Sequence, residues 1–225
     1  MLALAESKVF IAPAQFRGFD HAALARALAR EVPTLQHVLL VGGQDADAFE
    51  THIGRVASRS AHAAGAALGP NDVTQLLYTS GTTGEPKGVM HTSNTLLGTV
   101  QKFVEHMGVG ASDVVFMPSP LAHQLGFAYG ILLTQVVGIP LVLLDVWNPA
   151  IAADLIERYR ATFTFAATPF LADLANLPGI AERRLDSLRL FVSSGAPIPP
   201  AVVKAARSEE HTSELQSQFR ISYAV

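Results

Sequence analysis

Cysteine is absent from this 225-residue chain, and several classes of function are excluded with it. Without cysteine the chain forms no disulfide, offers no thiolate to a metal ion and has no cysteine nucleophile. Any thiol that takes part in its chemistry must therefore come from a partner molecule. The absence of cysteine also agrees with a reducing compartment, and we expect the protein in the cytoplasm.

Charged residues are also few. They make up 16% of the chain and leave a formal net charge of −3. No run of lysine or arginine interrupts this slight acidity, so nothing in the composition indicates a nucleic-acid partner. Hydrophobic residues account for 49% of the chain, which is typical of a globular protein with a sizeable core.

A long uninterrupted apolar run is missing as well. The longest apolar stretch, residues 130–144, contains Gln135, Gly138 and Pro140, which predicts a buried helix followed by a strand. Residues 1–5 are too short for a signal peptide and lack its basic start. We therefore expect neither a signal peptide nor a membrane span.

Short apolar runs alternate with amphipathic segments along the chain. The predicted strands are residues 8–11, 37–41, 73–78, 89–91, 114–117, 141–145, 162–166 and 188–192. The predicted helices are residues 20–32, 93 or 94 to 107, 124–137, 149–159, 170–176 and a last one from Pro199, with a loosely helical connector over 44–71. This alternation indicates an α/β fold with a mainly parallel sheet flanked by helices on both faces.

Residues 78–88 read Tyr-Thr-Ser-Gly-Thr-Thr-Gly-Glu-Pro-Lys-Gly and lie between two predicted strands. Glycines let backbone N–H groups approach a ligand closely, hydroxyls add hydrogen-bond donors, and Lys87 adds a positive charge. This combination suits a polyphosphate, although Gly, Ser and Thr also fill ordinary solvated turns. The order of residues differs from that of the P-loop and of the dinucleotide-binding fingerprint.

The segment resembles, almost letter for letter, the phosphate-binding signature of AMP-forming acyl-CoA synthetases and related adenylating enzymes. That signature is Tyr-Thr-Ser-Gly-Thr-Thr-Gly-x-Pro-Lys-Gly-Val-x-x-Thr/Ser. The match runs from Tyr78 through Val89 and resumes at Thr92. The resemblance implies that hydroxyls, backbone N–H groups and one cation hold the phosphates of ATP, from Thr79, Ser80, Gly81, Thr82, Thr83, Gly84 and Lys87.

Two later segments resemble further parts of the same family. Residues 118–123 are similar to the segment that carries a histidine or an aromatic residue beside the acyl site, which makes His123 the candidate catalytic residue. A histidine that only caps a helix is the alternative. The turn of Ser194, Gly195, Ala196 and Pro197 is similar to one that lies against adenine, and alone it is a plain Gly-Pro turn. Gly126 and Phe127 would line an acyl pocket or only pack in the core.

The resemblance implies an ATP-dependent acid–thiol ligase. A carboxylic acid would attack the α-phosphorus of ATP, pyrophosphate would leave, and coenzyme A would attack the acyl-adenylate. The expected ligands are ATP, Mg²⁺, coenzyme A and a medium-chain, alicyclic or aryl acid. Two alternatives stay open: a ligase that loads an acyl or aryl acid onto a carrier protein, and a non-catalytic ATP-binding module.

The resemblance also predicts how the chain is divided. Residues 1–206 are expected to be part of an adenylating N-terminal domain, without the family's hinge, ribose-binding aspartate, magnesium-side carboxylate or C-terminal domain. Residues 207–225 resemble an in-frame translation of a common sequencing adapter, which predicts a non-native tail; a natural disordered tail is the alternative. The chain alone is then expected to be inactive, with the Mg²⁺ ligands outside it.

Overall fold

The computed structural model of the protein describes residues 1–44, 46–57, 67–79, 86–195 and 197–206. The chain forms two compact units, Met1–His91 and Thr92–Val225. The strands are β1 (Val9–Pro13), β2 (Gln15–Phe16), β3 (Phe19–Asp20), β4 (His37–Val41), β5 (Val73–Thr79), β6 (Lys87–Thr92), β7 (Val115–Met117), β8 (Leu141–Leu143), β9 (Phe163–Ala167) and β10 (Leu190–Ser194). The α-helices are α1 (His21–Glu31), α2 (Phe49–Ala57), α3 (Ser93–Met107), α4 (Gln124–Gly126), α5 (Leu133–Val137), α6 (Pro149–Tyr159), α7 (Thr168–Ala175) and α8 (Pro200–Ala206). A π-helix (Phe127–Leu132) and a 3-10 helix (Ile180–Glu182) complete the set.

The first unit opens with a β-α-β arrangement. Strands β1 and β4 pair in parallel, with Val9 opposite His37, and α1 connects them. Asp20 caps α1 as predicted, since its Oδ1 accepts the backbone N–H of Ala23 at 2.9 Å. Strands β5 and β6 form a separate two-stranded sheet in which the phosphate-loop prediction falls.

The second unit contains a four-stranded sheet in the order β10-β9-β7-β8. Every pair in this sheet is parallel, so the predicted α/β class with a parallel sheet is confirmed. Alternate side chains of each strand point to opposite faces, and both faces are covered. One face packs against α3 and α5 through Val115, Met117, Phe163, Phe165, Leu190 and Val192. The other packs against α6, α7 and α8 through Phe116, Ala166 and Phe191.

Two local predictions were wrong in detail. Ser93 or Asn94 was expected to cap the helix that is now α3, but Thr92 does so. The hydroxyl of Thr92 accepts the N–H of Thr95 at 3.2 Å, and the N–H of Thr92 donates to the hydroxyl of Thr95 at 2.9 Å. This reciprocal pair satisfies two groups at once, which a cap at Ser93 or Asn94 without such a return bond does not.

The helix predicted over residues 124–137 is interrupted. It forms as α4, the π-helix and α5, with wider turns in the middle. Gly126 and Gly130 fall in this region, and glycine lowers the preference for regular α-helix by about 1 kcal/mol per residue. Of the connector expected over residues 44–71, the described part contains one regular helix, α2.

Candidate functional site

The predicted phosphate-binding residues start at the end of β5 and finish at the start of β6, both in the first unit. Thr79 is the last residue of β5 and Lys87 is the first of β6, and both are exposed. The rest of the predicted set lies outside the described residues: Ser80, Gly81, Thr82, Thr83 and Gly84. The structure therefore describes the base of this loop.

Two contacts join the strands at that base. The ring of Tyr78 lies against Gly88, where an added Cβ would come within 3.2 Å of its Cε1 atom. At the other end, the hydroxyl of Thr74 lies 3.5 Å from the carbonyl oxygen of His91 and donates to it. Contacts in this order indicate that β6 runs back along β5, as in a hairpin. A side chain at position 88 would require the ring of Tyr78 to shift by a few tenths of an ångström.

Lys87 is the one cation among the predicted phosphate-binding residues. Its side chain is exposed, and within the described ranges no carboxylate forms an ion pair with it. By contrast, Lys102 on α3 donates to Glu105 at 2.8 Å. An ammonium group that pairs with none of the described carboxylates suits the predicted role, because a charged donor binds an anionic ligand strongly.

The other predicted positions lie in the second unit, on loops that leave two parallel strands of the same sheet. Residues 118–123 follow β7 and end at His123, while Ser194 ends β10 and leads into the predicted adenine turn. Strand β9 lies between β7 and β10 in the sheet. Since the three strands are parallel, both loops emerge at the same carboxyl edge, which is where open α/β sheets bind their ligands.

His123 is exposed and precedes α4. Its Nδ1 accepts the backbone N–H of Leu125 at 3.2 Å, so the ring caps the helix. The backbone N–H of His123 donates to the carbonyl oxygen of Pro120 at 3.0 Å, which closes a tight turn. A neutral imidazole that accepts at Nδ1 carries its proton on Nε2. The cap therefore leaves an Nε2–H donor for a ligand, and both roles considered for His123 are compatible with one geometry.

Gly126 is buried where α4 meets the chain that leaves β7. A Cβ at this position would lie 2.3 Å from the carbonyl oxygen of Pro120 and 2.8 Å from that of Ser119. Such distances leave no room for any side chain. Close packing therefore explains Gly126, and a role of Gly126 or Phe127 beside an acyl group stays a prediction.

An aromatic cluster lies beside the π-helix. The ring of Tyr129 lies 4.4 Å from that of Phe103 and 4.8 Å from that of Phe165, measured between centroids. Phe103 and Phe165 stack with centroids 5.6 Å apart. Burial raises the pKa of the Tyr129 hydroxyl, so this group is neutral over the physiological range. The cluster ties α3 and the π-helix to the face of the sheet.

The predicted adenine turn starts at the end of β10. Ser194 is half-buried, and Gly195 has a φ of 84°, a left-handed value that favours glycine. Pro197 is exposed, and Ala196 lies outside the described residues.

Three buried hydroxyls at the same edge, those of Ser119, Thr168 and Ser193, were not predicted from the sequence. Ser119 donates to the carbonyl oxygen of Phe165 at 3.4 Å, and Thr168 lies 3.2 Å from Ser193, oxygen to oxygen. Each contact joins two neighbouring strand ends. Serine and threonine are too common after strands for their identity to have revealed these contacts.

No group of three His, Asp or Glu side chains that could hold a metal ion lies in the described part of the chain. Mg²⁺ is therefore assigned to no residue here. A search of the same residues for a helix long and apolar enough to cross a membrane found none.

Comparison with known proteins identifies the family of the chain. A family model described as "AMP-binding enzyme" matches residues 1–216. The chain is 30% identical over 200 residues to a medium-chain fatty-acid–CoA ligase of Escherichia coli (strain K12), covering 88% of this chain and 35% of the ligase. It is 31% identical over 211 residues to a propanoyl:CoA ligase of Mycobacterium tuberculosis (strain ATCC 25618 / H37Rv), covering 91% of this chain and 41% of that ligase. The name of that ligase specifies an acyl group with a methyl-dioxo-octahydroindenyl ring.

The fold matches the crystal structure of the N-terminal domain of FACL13 from Mycobacterium tuberculosis. The TM-score is 0.76 at 24% identity, over 91% of this chain and 48% of that one. The chain belongs to the family of AMP-binding enzymes. It spans about a third to two-fifths of the length of the curated relatives just described. Because the family match runs to residue 216, the predicted boundary at residue 206 stays a prediction.

Proposed function

We propose that the whole protein activates a small carboxylic acid with ATP and passes the acyl group to coenzyme A. A carboxylate oxygen bonds to the α-phosphorus, and the bond from that phosphorus to the bridging oxygen breaks, so pyrophosphate leaves with the electron pair. The thiolate sulfur of coenzyme A then bonds to the acyl carbon of the adenylate, and AMP leaves. The thiol in this proposal is that of coenzyme A, the second substrate, and the 225 residues of the chain contain no cysteine.

The observation that carries this proposal is the loop between β5 and β6, with Lys87 exposed at its base and free of carboxylates within the described ranges. Negative charge builds up on the departing pyrophosphate in the transition state, and donors aimed at it lower the barrier. Lys87 would supply a full charge there, and the hydroxyls and backbone N–H groups of Thr79, Ser80, Gly81, Thr82, Thr83 and Gly84 would add hydrogen bonds.

The names of the relatives support the acceptor and the class of acid. Both are coenzyme A ligases, one for medium-chain fatty acids and one for an acid that carries a bicyclic ring. We therefore infer a medium-chain, alicyclic or aryl acid as the substrate. We also propose the cytoplasm as the place of reaction, because a chain without cysteine agrees with a reducing compartment. Family chemistry supplies Mg²⁺ with ATP, which would offset phosphate charge.

The proposal is tested by the exchange of labelled pyrophosphate into ATP, with the protein expressed from the complete reading frame that encodes this chain. Exchange should require a carboxylic acid. We expect Lys87→Ala to lower the exchange rate by about 100-fold, because the lost charge acts most strongly in the transition state. Binding of the acid should change far less.

Lys102→Ala is the matched control, since this exposed lysine on α3 pairs only with Glu105 among the described residues. It should leave the exchange rate unchanged. Equal losses of exchange rate and acid binding in Lys87→Ala, or exchange that needs no acid, would contradict the proposal.

A second prediction separates the two roles of His123. We propose that its Nε2–H lies beside the acid, so His123→Ala should reorder the preference among acids while ATP affinity stays nearly intact. The same change removes the cap of α4 and should cost about 1 kcal/mol of stability.

His123→Asn is the control, because an asparagine oxygen can accept the Leu125 N–H and keep the cap without an imidazole. Its melting temperature should stay close to that of the unmodified protein, with the acid preference altered as in His123→Ala. If both variants keep the original ranking of acids, His123 is a cap and nothing more.

A further inference from the structure

Two buried hydroxyls meet at the carboxyl edge of the sheet in the second unit. Thr168, the first residue of α7, is 6% exposed, and Ser193 in β10 is 3% exposed. Their oxygens lie 3.2 Å apart. Because water is excluded from this contact, the hydrogen bond is stronger than one at the surface.

The contact between Thr168 and Ser193 joins the ends of β9 and β10. It lies where β9 passes into α7, a helix that no side chain at the cap position caps. Strand β9 runs directly into α7, and Ala167 at the cap position has no side chain that can accept a hydrogen bond. Ser194 lies opposite Ala167 in the register of β9 and β10. The hydroxyl of Thr168 therefore reaches across to the neighbouring strand one residue before that strand ends.

The chain that follows Ser193 is the predicted adenine turn. Gly195 adopts a left-handed φ of 84°, a value that favours glycine, and glycine has no side chain that could anchor the turn. The residues of the turn also include no large apolar side chain. The direction in which the chain enters this turn is set by the pairing of β10 with β9, which runs to Ser194, and by the hydroxyl contact of Ser193. In the described structure the side-chain partner of Ser193 is Thr168.

We propose that Thr168 is a positioning residue for nucleotide binding, which acts through Ser193 to hold the start of the predicted adenine turn, Ser194 and Gly195, where it receives the adenosine half of ATP. This inference rests on the proposed function, because it assumes that the turn contacts adenine. It concerns adenosine alone, since Lys87 and the phosphate loop belong to the first unit of the chain.

The alternative is a purely structural hydrogen bond. A structural bond would alter stability without distinguishing one part of the nucleotide from another. A positioning role predicts a split: ligands that contain adenosine bind less tightly when the bond is lost, while a ligand made only of phosphates does not. AMP and inorganic tripolyphosphate are suitable probes for the two halves.

The experiment is calorimetric titration of the protein from the complete reading frame with AMP and, separately, with tripolyphosphate. Loss of one buried hydrogen bond should weaken AMP binding by Thr168→Val about fivefold to tenfold. Binding of tripolyphosphate by Thr168→Val should stay within about twofold of that of the unmodified protein. Thr168→Ser keeps the hydroxyl, so its binding of AMP should also stay within about twofold. Ser193→Ala should also weaken AMP binding, and the losses of the two single variants should not add in the double variant.

Thr164→Val is the matched control. Thr164 lies in β9, is fully buried like Thr168, and its hydroxyl has no hydrogen-bond partner among the described residues. The same change of side chain there should leave the binding of both probes unaltered. If Thr168→Val binds AMP as tightly as the unmodified protein does, or loses affinity for both probes equally, the positioning role is overturned. An unmodified protein that binds neither probe overturns the proposed function, and the positioning role with it.

Discussion

Gly126→Ala is expected to destabilise the second unit by about 3 kcal/mol, the upper end of what overpacking a core costs. The added methyl group would lie 2.3 Å from the carbonyl oxygen of Pro120 and 2.8 Å from its carbonyl carbon. Both are backbone atoms, so no side-chain rotation relieves the clash, and α4 must move away from the chain that leaves β7. His123 lies between these two segments and would be displaced with them.

Two other glycines make this expectation specific. A Cβ at Gly130 would lie 2.9 Å from Cγ of Met117, a side-chain atom and not a backbone atom, so Gly130→Ala should be less harmful than Gly126→Ala. A Cβ at Gly98, inside α3, would meet nothing within 4 Å. Gly98→Ala should therefore stabilise the protein by about 0.5–1 kcal/mol, since alanine favours helix more than glycine does.

Urea unfolding of the three variants measures the series. The expected order of stability is Gly98→Ala above the unmodified protein, then Gly130→Ala, then Gly126→Ala. A Gly126→Ala variant as stable as Gly130→Ala would show that the backbone at Pro120 yields easily, and the close approach would then have no energetic importance.

The sequence was most informative where one residue type serves one physical purpose. Asp20 caps α1 as expected, because few residues other than a short acceptor stand at that position. The alternation of apolar runs with amphipathic segments indicated a parallel sheet with helices on both faces, and the structure buries β9 and β10 between two layers of helix.

Elements whose shape depends on distant contacts escaped prediction. The hairpin of β2 and β3 turns at Arg17 and Gly18, with φ values of 51° and 76°. A two-residue turn of this kind usually carries asparagine or aspartate before the glycine, so arginine gave no signal. The space left by Gly126 likewise depends on the path of residues 119–120, which local periodicity does not report.

The candidate site also contains residues that the sequence singles out and residues that only the fold brings together. The phosphate loop was predicted because its order of residues is specific, whereas Thr168 and Ser193 become a pair only when β9 and β10 lie side by side. A similar limit applied at the opposite edge of the sheet, where Asp113, Thr162 and Arg189 precede β7, β9 and β10 and form one network.

That network is the basis of the second large effect. Asp113 is 4% exposed and accepts two hydrogen bonds from Arg189, at 2.9 and 2.7 Å. It also accepts one from the hydroxyl of Thr162 at 2.6 Å and one from the N–H of Gly110 at 2.8 Å. Arg189→Met is expected to cost about 3 kcal/mol, because it leaves a buried carboxylate without its charge partner.

The dependence of stability on pH should identify this cause. Burial alone would raise the pKa of Asp113, but the hydrogen bonds from Arg189, Thr162 and Gly110 and the charge of Arg189 together lower it below its ordinary value. A carboxyl group whose pKa is lower in the folded state contributes stability above its unfolded pKa, about 3.9, and that contribution is lost as the pH falls through the folded pKa. The unmodified protein should therefore lose stability in strong acid.

Arg189→Met should show the opposite trend for this group. Without the guanidinium, burial dominates and raises the pKa of Asp113, so protonation on mild acidification relieves the penalty, and the difference in stability between variant and unmodified protein should shrink as the pH falls from 7 towards the raised pKa. Arg160→Met is the control, because Arg160 pairs with Asp186 at the exposed surface and its loss should be much smaller. Urea unfolding at several pH values measures both variants. A deficit in Arg189→Met that stays constant with pH would show that lost packing, and not the unpaired carboxylate of Asp113, causes it.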